Sequence, residues 1–260
     1  MPMVKAPAMC FGYLVVIAEH LLGANMVFTP LWDHNPLKWP SPPYVMWALV
    51  AINLAVFFLQ VGTGSIDQAD RFAGLVPTLL TSGGLPGMLW PPLTLITSMF
   101  LHANFMHVFG NMLFLFVFGD DIEEVLGHWR FLGFYLACGV VGGLAFVLSD
   151  PSSTTELIGA SGAVAGVISA YLLFRPCAKV TCLLGVIPLR IRAYWVIGTW
   201  AIWQVVEVSM RAADGVAYWA HVGGLIAGAG LFAWLRPASV KLFDCVHSEP
   251  AIVAGHFDPL

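Results

Sequence analysis

Leu157-Ile-Gly-Ala-Ser161-Gly-Ala-Val-Ala-Gly166-Val-Ile-Ser-Ala170-Tyr-Leu-Leu-Phe174 holds no charged side chain in eighteen positions. About 20 predominantly apolar residues cross the hydrocarbon layer of a bilayer as a helix, so the run predicts a membrane span. At its mouth Gly159-Ala160-Ser161-Gly162 sets a hydroxyl between residues with little or no side chain, where a reagent can approach closely.

Outward from this run the chain repeats the pattern. Further uncharged runs lie at about 44–60, 93–119, 131–148, 193–206 and 217–235, which makes six spans. The composition agrees, with 59% hydrophobic and 10% charged residues against about 45–50% and about 25% in soluble domains. Barrel strands would instead alternate over short segments. The predicted fold is an all-α membrane protein, a bundle of six transmembrane helices over residues 30–236, with a tail at 237–260. Residues 1–29 form a hydrophobic extension whose apolar run, Met9 to Phe28, is interrupted by Glu19 and His20. It fits an extra span, a signal peptide or upstream sequence. Val61 to Pro92 reads as a long Gly- and Pro-rich loop resting in the membrane interface through Phe72, Leu75, Val76, Leu79, Leu80 and Trp90.

The net charge of −4 is scattered and no basic block occurs, so the composition points to partners in the bilayer and not to nucleic acid. Five cysteines include no C-x-x-C pair, which favours neither disulfides nor a zinc site. Orientation follows from the loop cations. One side receives Lys38, Arg130, Arg175, Lys179, Arg190, Arg192, Arg236 and Lys241, the other only Arg71 and Arg211. The richer side is predicted to be cytoplasmic. Spans two, four and six then start at the outer face, and their first halves hold His102, His107 and Asn111, then Ser161, then His221.

Ionisable residues at that depth usually face a cavity or a partner. His107 and Asn111 are four apart and share a helical face, whereas His102 is offset. A serine hydroxyl needs a base to take its proton as it attacks a carbonyl, and an imidazole suits that task. The negative oxygen of the tetrahedral intermediate needs donors, which Asn111, His107 and the Ser161 amide can supply. No carboxylate falls in this layer within a span, so the predicted arrangement is a Ser161–His221 dyad. Asp214 and Glu207 read as loop or helix-end residues, and Glu123-Glu124 as a solvated helix end beside His128 and Arg130. The dyad requires spans four and six to touch, and both carry small-residue stripes, Gly162, Gly166 and Ala170 on one, Gly224 and Gly228 on the other.

These motifs together resemble the rhomboid intramembrane serine proteases. The matching pieces are His102-Ala-Asn-Phe-Met-His107-Val-Phe-Gly-Asn111, Gly159-Ala-Ser161-Gly162, and Ala220-His221-Val-Gly-Gly224-Leu-Ile-Ala-Gly228, in the family's order on spans two, four and six. Pro30-Leu-Trp-Asp-His-Asn-Pro36 is similar to the family's entry to span one. The resemblance implies a six-helix bundle with a water-accessible cavity opening outward, Ser161 as nucleophile, His221 as base, His107 and Asn111 on the oxyanion, and His102 in a supporting role. Gly159 and Gly162 belong to the serine motif. It implies transmembrane segments of other membrane proteins as substrates, cut near the outer face without cofactor, metal, nucleotide or ATP. Size and the lack of a targeting signal suit a bacterial plasma membrane. Some family members carry an aromatic four residues after the serine that stacks on the catalytic histidine. Here that position is Ala165, and His221 needs another brace.

Three rival readings are weaker. A metal-dependent protease could use His102, His107 and His221, but H-E-x-x-H is absent. A catalytically silent relative that escorts membrane clients would show damage at the serine or histidine, and both are intact. A transporter would show inverted repeats or paired broken helices.

Overall fold

A computed structural model describes residues 29–33, 42–84, 89–184, 187–210 and 215–245. The 1–29 extension, apart from its last residue, and the end of the tail lie outside the described residues, as do Asp214 and residues 34–36 of the Pro30–Pro36 motif. Helix α1 (Tyr44–Thr63) is followed by two short helices, α2 (Ile66–Ala73) and α3 (Pro77–Ser82), then by α4 (Pro91–Thr97) and a 3₁₀ turn (Ser98–Phe100). Five more helices complete the bundle: α5 (Phe105–Leu126), α6 (His128–Ser149), α7 (Ser161–Phe174), α8 (Ala193–Met210) and α9 (Tyr218–Leu235). Four of these, α1, α5, α6 and α9, are long and apolar enough to cross a membrane, and α7 is a shorter apolar helix. The chain is an integral membrane protein built as a helical bundle.

Several features differ from the sequence expectation. Span two does not run unbroken from Leu93. Pro91 and Pro92 start α4, Leu101 is extended, and a fresh helix begins at Phe105, where the Asn104 side chain caps it by accepting from the His107 amide at 2.9 Å. The stretch 61–92 is no simple loop, because α2 and α3 occupy much of it. Between them Leu75 is fully buried and pairs with Leu157 through two backbone hydrogen bonds of 3.0 and 2.8 Å. Finally, the all-helical expectation omitted a three-stranded antiparallel sheet, ordered β1 (Thr29–Asp33), β2 (Lys179–Leu184), β3 (Ile187–Arg192). Pro30, the start of the presumed entry to span one, lies on edge strand β1, where a residue without an N–H is tolerated.

The sheet packs at the end of the bundle remote from Ser161. There the Tyr171 hydroxyl donates to Asp33 at 3.1 Å and Arg175 pairs with Asp121 at 3.1 Å. Cys177 is bonded to Cys245, a disulfide that the absence of C-x-x-C had argued against. It ties the beginning of the tail to the approach to β2, and the Phe243 amide donates to the Leu173 carbonyl beside it. Glu123 likewise departs from its expectation as a solvated end. It is 2% exposed, and its carboxylate accepts from the Val45 and Met46 amides at 2.9 and 2.7 Å. Pro43 provides no side-chain cap for α1, so α5 supplies one from a distance.

The centre of the bundle is α7, buried from Gly162 to Tyr171. Its neighbours α9 and α6 approach through glycine. A methyl group placed on Gly224 would meet the Gly162 backbone, one on Gly228 the Gly166 backbone, and one on Gly142 the Ala220 carbonyl at 2.7 Å. Bilayer lipid offers no hydrophobic incentive for helices to associate, so close backbone contact of this kind holds them.

Candidate functional site

A cavity of about 560 Å³ opens between α5, α7, α8 and α9, and Ser161, His221, His107 and Asn111 all line it. Each arrives by a different local device. Ser161 is the first residue of α7 and follows a non-helical approach, which Leu157 pins to Leu75 and Gly159 pins to the Ser98 carbonyl by a 2.9 Å bond from its amide. Gly159 adopts φ +112°, a conformation that L side chains rarely adopt. It also leaves room for His107, since a methyl group there would sit 2.6 Å from His107 Nε2 and 3.6 Å from Asn111 Nδ2. Thus the serine motif is packed directly against the two proposed donors.

His107 and Asn111 lie one turn apart on α5, as their spacing requires. Asn111 is buried, and its Nδ2 has no hydrogen-bond partner among the described residues. An uncommitted buried donor is costly unless an acceptor arrives. His102 does not line the cavity. It is fully buried, with its ring edge-on to that of His107 at 5.0 Å, and so backs the His107 ring. Gly162 also serves packing, under the Ala220 carbonyl.

His221 sits one turn before Gly224 on α9, close to the α7 seam. The Ser161 and His221 side chains line the same cavity. The brace missing at Ala165 comes from α8. Gln204 Oε1 lies 2.7 Å from His221 Nδ1, and the Trp200 ring lies 5.9 Å from the imidazole at an interplanar angle of 35°. Tyr218 meets the ring edge-on at 6.2 Å. Gln204 escaped the sequence reading, although an amide inside an otherwise apolar run was the available signal. Glu156 was missed as well. It lines the cavity from the exposed approach to α7, so the site has a carboxylate at its edge even though none lies within a span.

The cavity inside this helical bundle is thus lined by a serine and histidines from three separate helices, and the sequence matches a known family. The Rhomboid domain family matches residues 86–238. This chain belongs to the rhomboid family. Among curated rhomboids it is 30% identical over 240 residues to Rhomboid protein 1, mitochondrial, of Saccharomyces cerevisiae, covering 88% of this chain and 65% of the relative. It is 28% identical over 204 residues to Rhomboid protease AarA of Providencia stuartii, covering 70% and 68%. With Putative rhomboid protease YdcA of Bacillus subtilis it shares 38% identity over 84 residues, 31% of this chain and 42% of the relative. The chain therefore spans less than two thirds of the length of the first and last of these relatives. Several rhomboid relatives carry the name protease, and the matched region contains Ser161, His221, His107 and Asn111.

Proposed function

We propose that this rhomboid is an intramembrane serine endopeptidase that cleaves transmembrane segments of other membrane proteins by a Ser161–His221 dyad. The observation that carries the reading is the shared cavity, in which a helix-opening serine, an imidazole and an unpaired buried amide donor face one space. Ser161 Oγ attacks the scissile carbonyl carbon while its proton passes to His221 Nε2. The tetrahedral oxyanion receives hydrogen bonds from Asn111 Nδ2, His107 and the Ser161 amide at the α7 N-terminus. As the C–N bond breaks, the imidazolium returns the proton to the leaving amine. Water then attacks the acyl ester by the same route in reverse.

Residues 30–236 form the catalytic unit, with 1–29 and 237–260 outside it. Its N-terminal end faces the cytoplasm, in accord with the distribution of Lys and Arg, and the cavity opens to the outer face of a bacterial plasma membrane. Neither cofactor, metal nor nucleotide enters the chemistry of these side chains. The test is labelling of the purified protein by a fluorophosphonate together with cleavage of a model transmembrane substrate. Ser161→Ala and His221→Ala should each abolish both. Cleavage that survives Ser161→Ala and is lost on chelation would replace the dyad with a metal mechanism.

A further inference from the structure

We propose that Gln204 is a positioning residue for His221, fixing the imidazole tautomer that leaves Nε2 free to accept the Ser161 proton. The proposal rests on the dyad reading above. Gln204 is 3% exposed within apolar α8, and a buried amide is costly unless its hydrogen bonds are made. Its Nε2 donates to the Trp200 carbonyl at 3.3 Å, one helical turn back, while Oε1 faces His221 Nδ1 at 2.7 Å. These two contacts settle which end of the amide points where. Reversed, an oxygen would confront the Trp200 carbonyl, acceptor against acceptor.

With an acceptor opposite it, Nδ1 must carry the hydrogen. A neutral imidazole has one N–H, so Nε2 is left with a bare lone pair, the form a general base requires. Trp200 and Tyr218 bound the ring on two sides, so tautomer and ring plane are set together. Gln204 is neutral and thus orients His221 without stabilising the imidazolium as a carboxylate would. The other titratable groups that line the His221 cavity are His107 from α5 and Glu156 from the approach to α7.

The experiment measures the fluorophosphonate labelling rate of the full-length protein in detergent across pH, for wild type, Ser161→Ala, Gln204→Met and Gln204→Glu, with melting temperatures alongside. Methionine keeps length and bulk but removes the acceptor, and should slow labelling about 10–100-fold at every pH, by analogy with the loss of a hydrogen-bond partner that orients a metal-binding histidine. Glutamate restores the acceptor. It should recover the rate on the alkaline side and move the acid limb to higher pH, because a carboxylate favours imidazolium. A residue that only fills space gives the opposite ranking, with methionine tolerated and glutamate not, and that result overturns the proposal. Should Gln204→Met fail to fold, an unshifted acid limb in a normally melting Gln204→Glu overturns it equally. Wild-type labelling that is absent or independent of Ser161 instead overturns the dyad reading, and the proposal with it.

Discussion

Gly224→Ala is the substitution that most directly probes how the site is assembled. A methyl group at this position would meet the Gly162 carbonyl oxygen head on, with the carbonyl carbon at 2.8 Å and Cα at 3.2 Å. These are backbone atoms near the start of α7, so no rotamer change relieves the clash. Helices α7 and α9 must instead separate by roughly 1 Å to restore van der Waals contact. Overpacking of this kind costs about 1–3 kcal/mol, and contact with backbone places Gly224→Ala toward the upper end. The same separation draws His221, three residues earlier on α9, away from Ser161. A misplacement of about 1 Å in a catalytic pair is worth about 10²-fold in rate.

Gly230 is the matched control on the same helix, because nothing lies within 4 Å of a methyl group there. Gly230→Ala should raise stability by up to about 1 kcal/mol through helix propensity alone. The assay pairs thermal melting in detergent with the rate of fluorophosphonate labelling. Gly224→Ala should melt lower and label about 10²-fold more slowly, while Gly230→Ala melts at or above wild type and labels normally. Equal melting and labelling for both variants would refute backbone contact between α7 and α9, and with it this account of how the two halves of the proposed dyad are held.

Three further substitutions test other joints. Gly159→Ala forces a side chain into φ +112° and onto the His107 ring, so labelling by fluorophosphonate should fall at least as far as in Asn111→Ala, about 10²–10³-fold on loss of one oxyanion donor; a wild-type rate would place His107 outside the site. Glu123→Gln removes one of the two carboxylate oxygens that cap α1 and should lower stability by about 1–3 kcal/mol, read as melting temperature, with an unchanged value counting against the cap. Asp70 lies in α2 outside the spans, and burial, aided by Glu156, pushes its carboxyl up to about 6 from an ordinary 3.8. Since the folded state holds this proton more tightly than the unfolded chain, the carboxyl costs nothing below pH 3.8, and stability is lost as pH rises from there through about 6. Asp70→Asn should therefore melt higher than wild type above pH 6 and converge with it at pH 4; parallel curves across that range would show that the carboxyl is not perturbed.

The helices were legible because a bilayer demands long uncharged runs, a signal that outweighs local detail. The runs ending at Gln60, Leu148, Phe174 and Leu235 each correspond to a helix in the structure. What escaped was set by contacts remote in sequence. The capping role of Glu123 depends on α1, 77 and 78 residues away, and nothing local distinguishes it from its neighbour Glu124. Sheet residues alternate, as in Ile187-Pro-Leu-Arg-Ile-Arg192, but each run is short, and the strand that completes the sheet beside 179–184 comes from the remote segment 29–33. The Cys177–Cys245 bond closes a separation of 68 residues and has no spacing signature. In the site, Ser161, His107, Asn111 and His221 stood out as polar groups in apolar runs. Gln204 met the same criterion, but its span holds no histidine to share a helical face with it as His107 does with Asn111.

The length of α7 bears on the proposed depth of the site. Its 14 residues span about 21 Å at 1.5 Å per residue, against a hydrocarbon layer of about 30 Å. A helix shorter than the layer by about 9 Å fits the proposed placement of its N-terminus, and Ser161 with it, below the surface. The chain that reaches this depth, from Glu156 to Ala160, is not helical, and non-helical backbone survives at that level only when buried in protein or facing a wet cavity. This segment is buried in protein on one side and lines the cavity on the other. Leu157 exchanges hydrogen bonds with Leu75, and the Gly159 amide finds the Ser98 carbonyl, while Glu156, Leu157 and Ile158 line the cavity wall. The segment between α1 and α5 thus supplies the backbone partners that hold the non-helical approach to Ser161. Loosening Leu75 would on this reasoning expose the approach to α7 before it disturbed any side chain of the site.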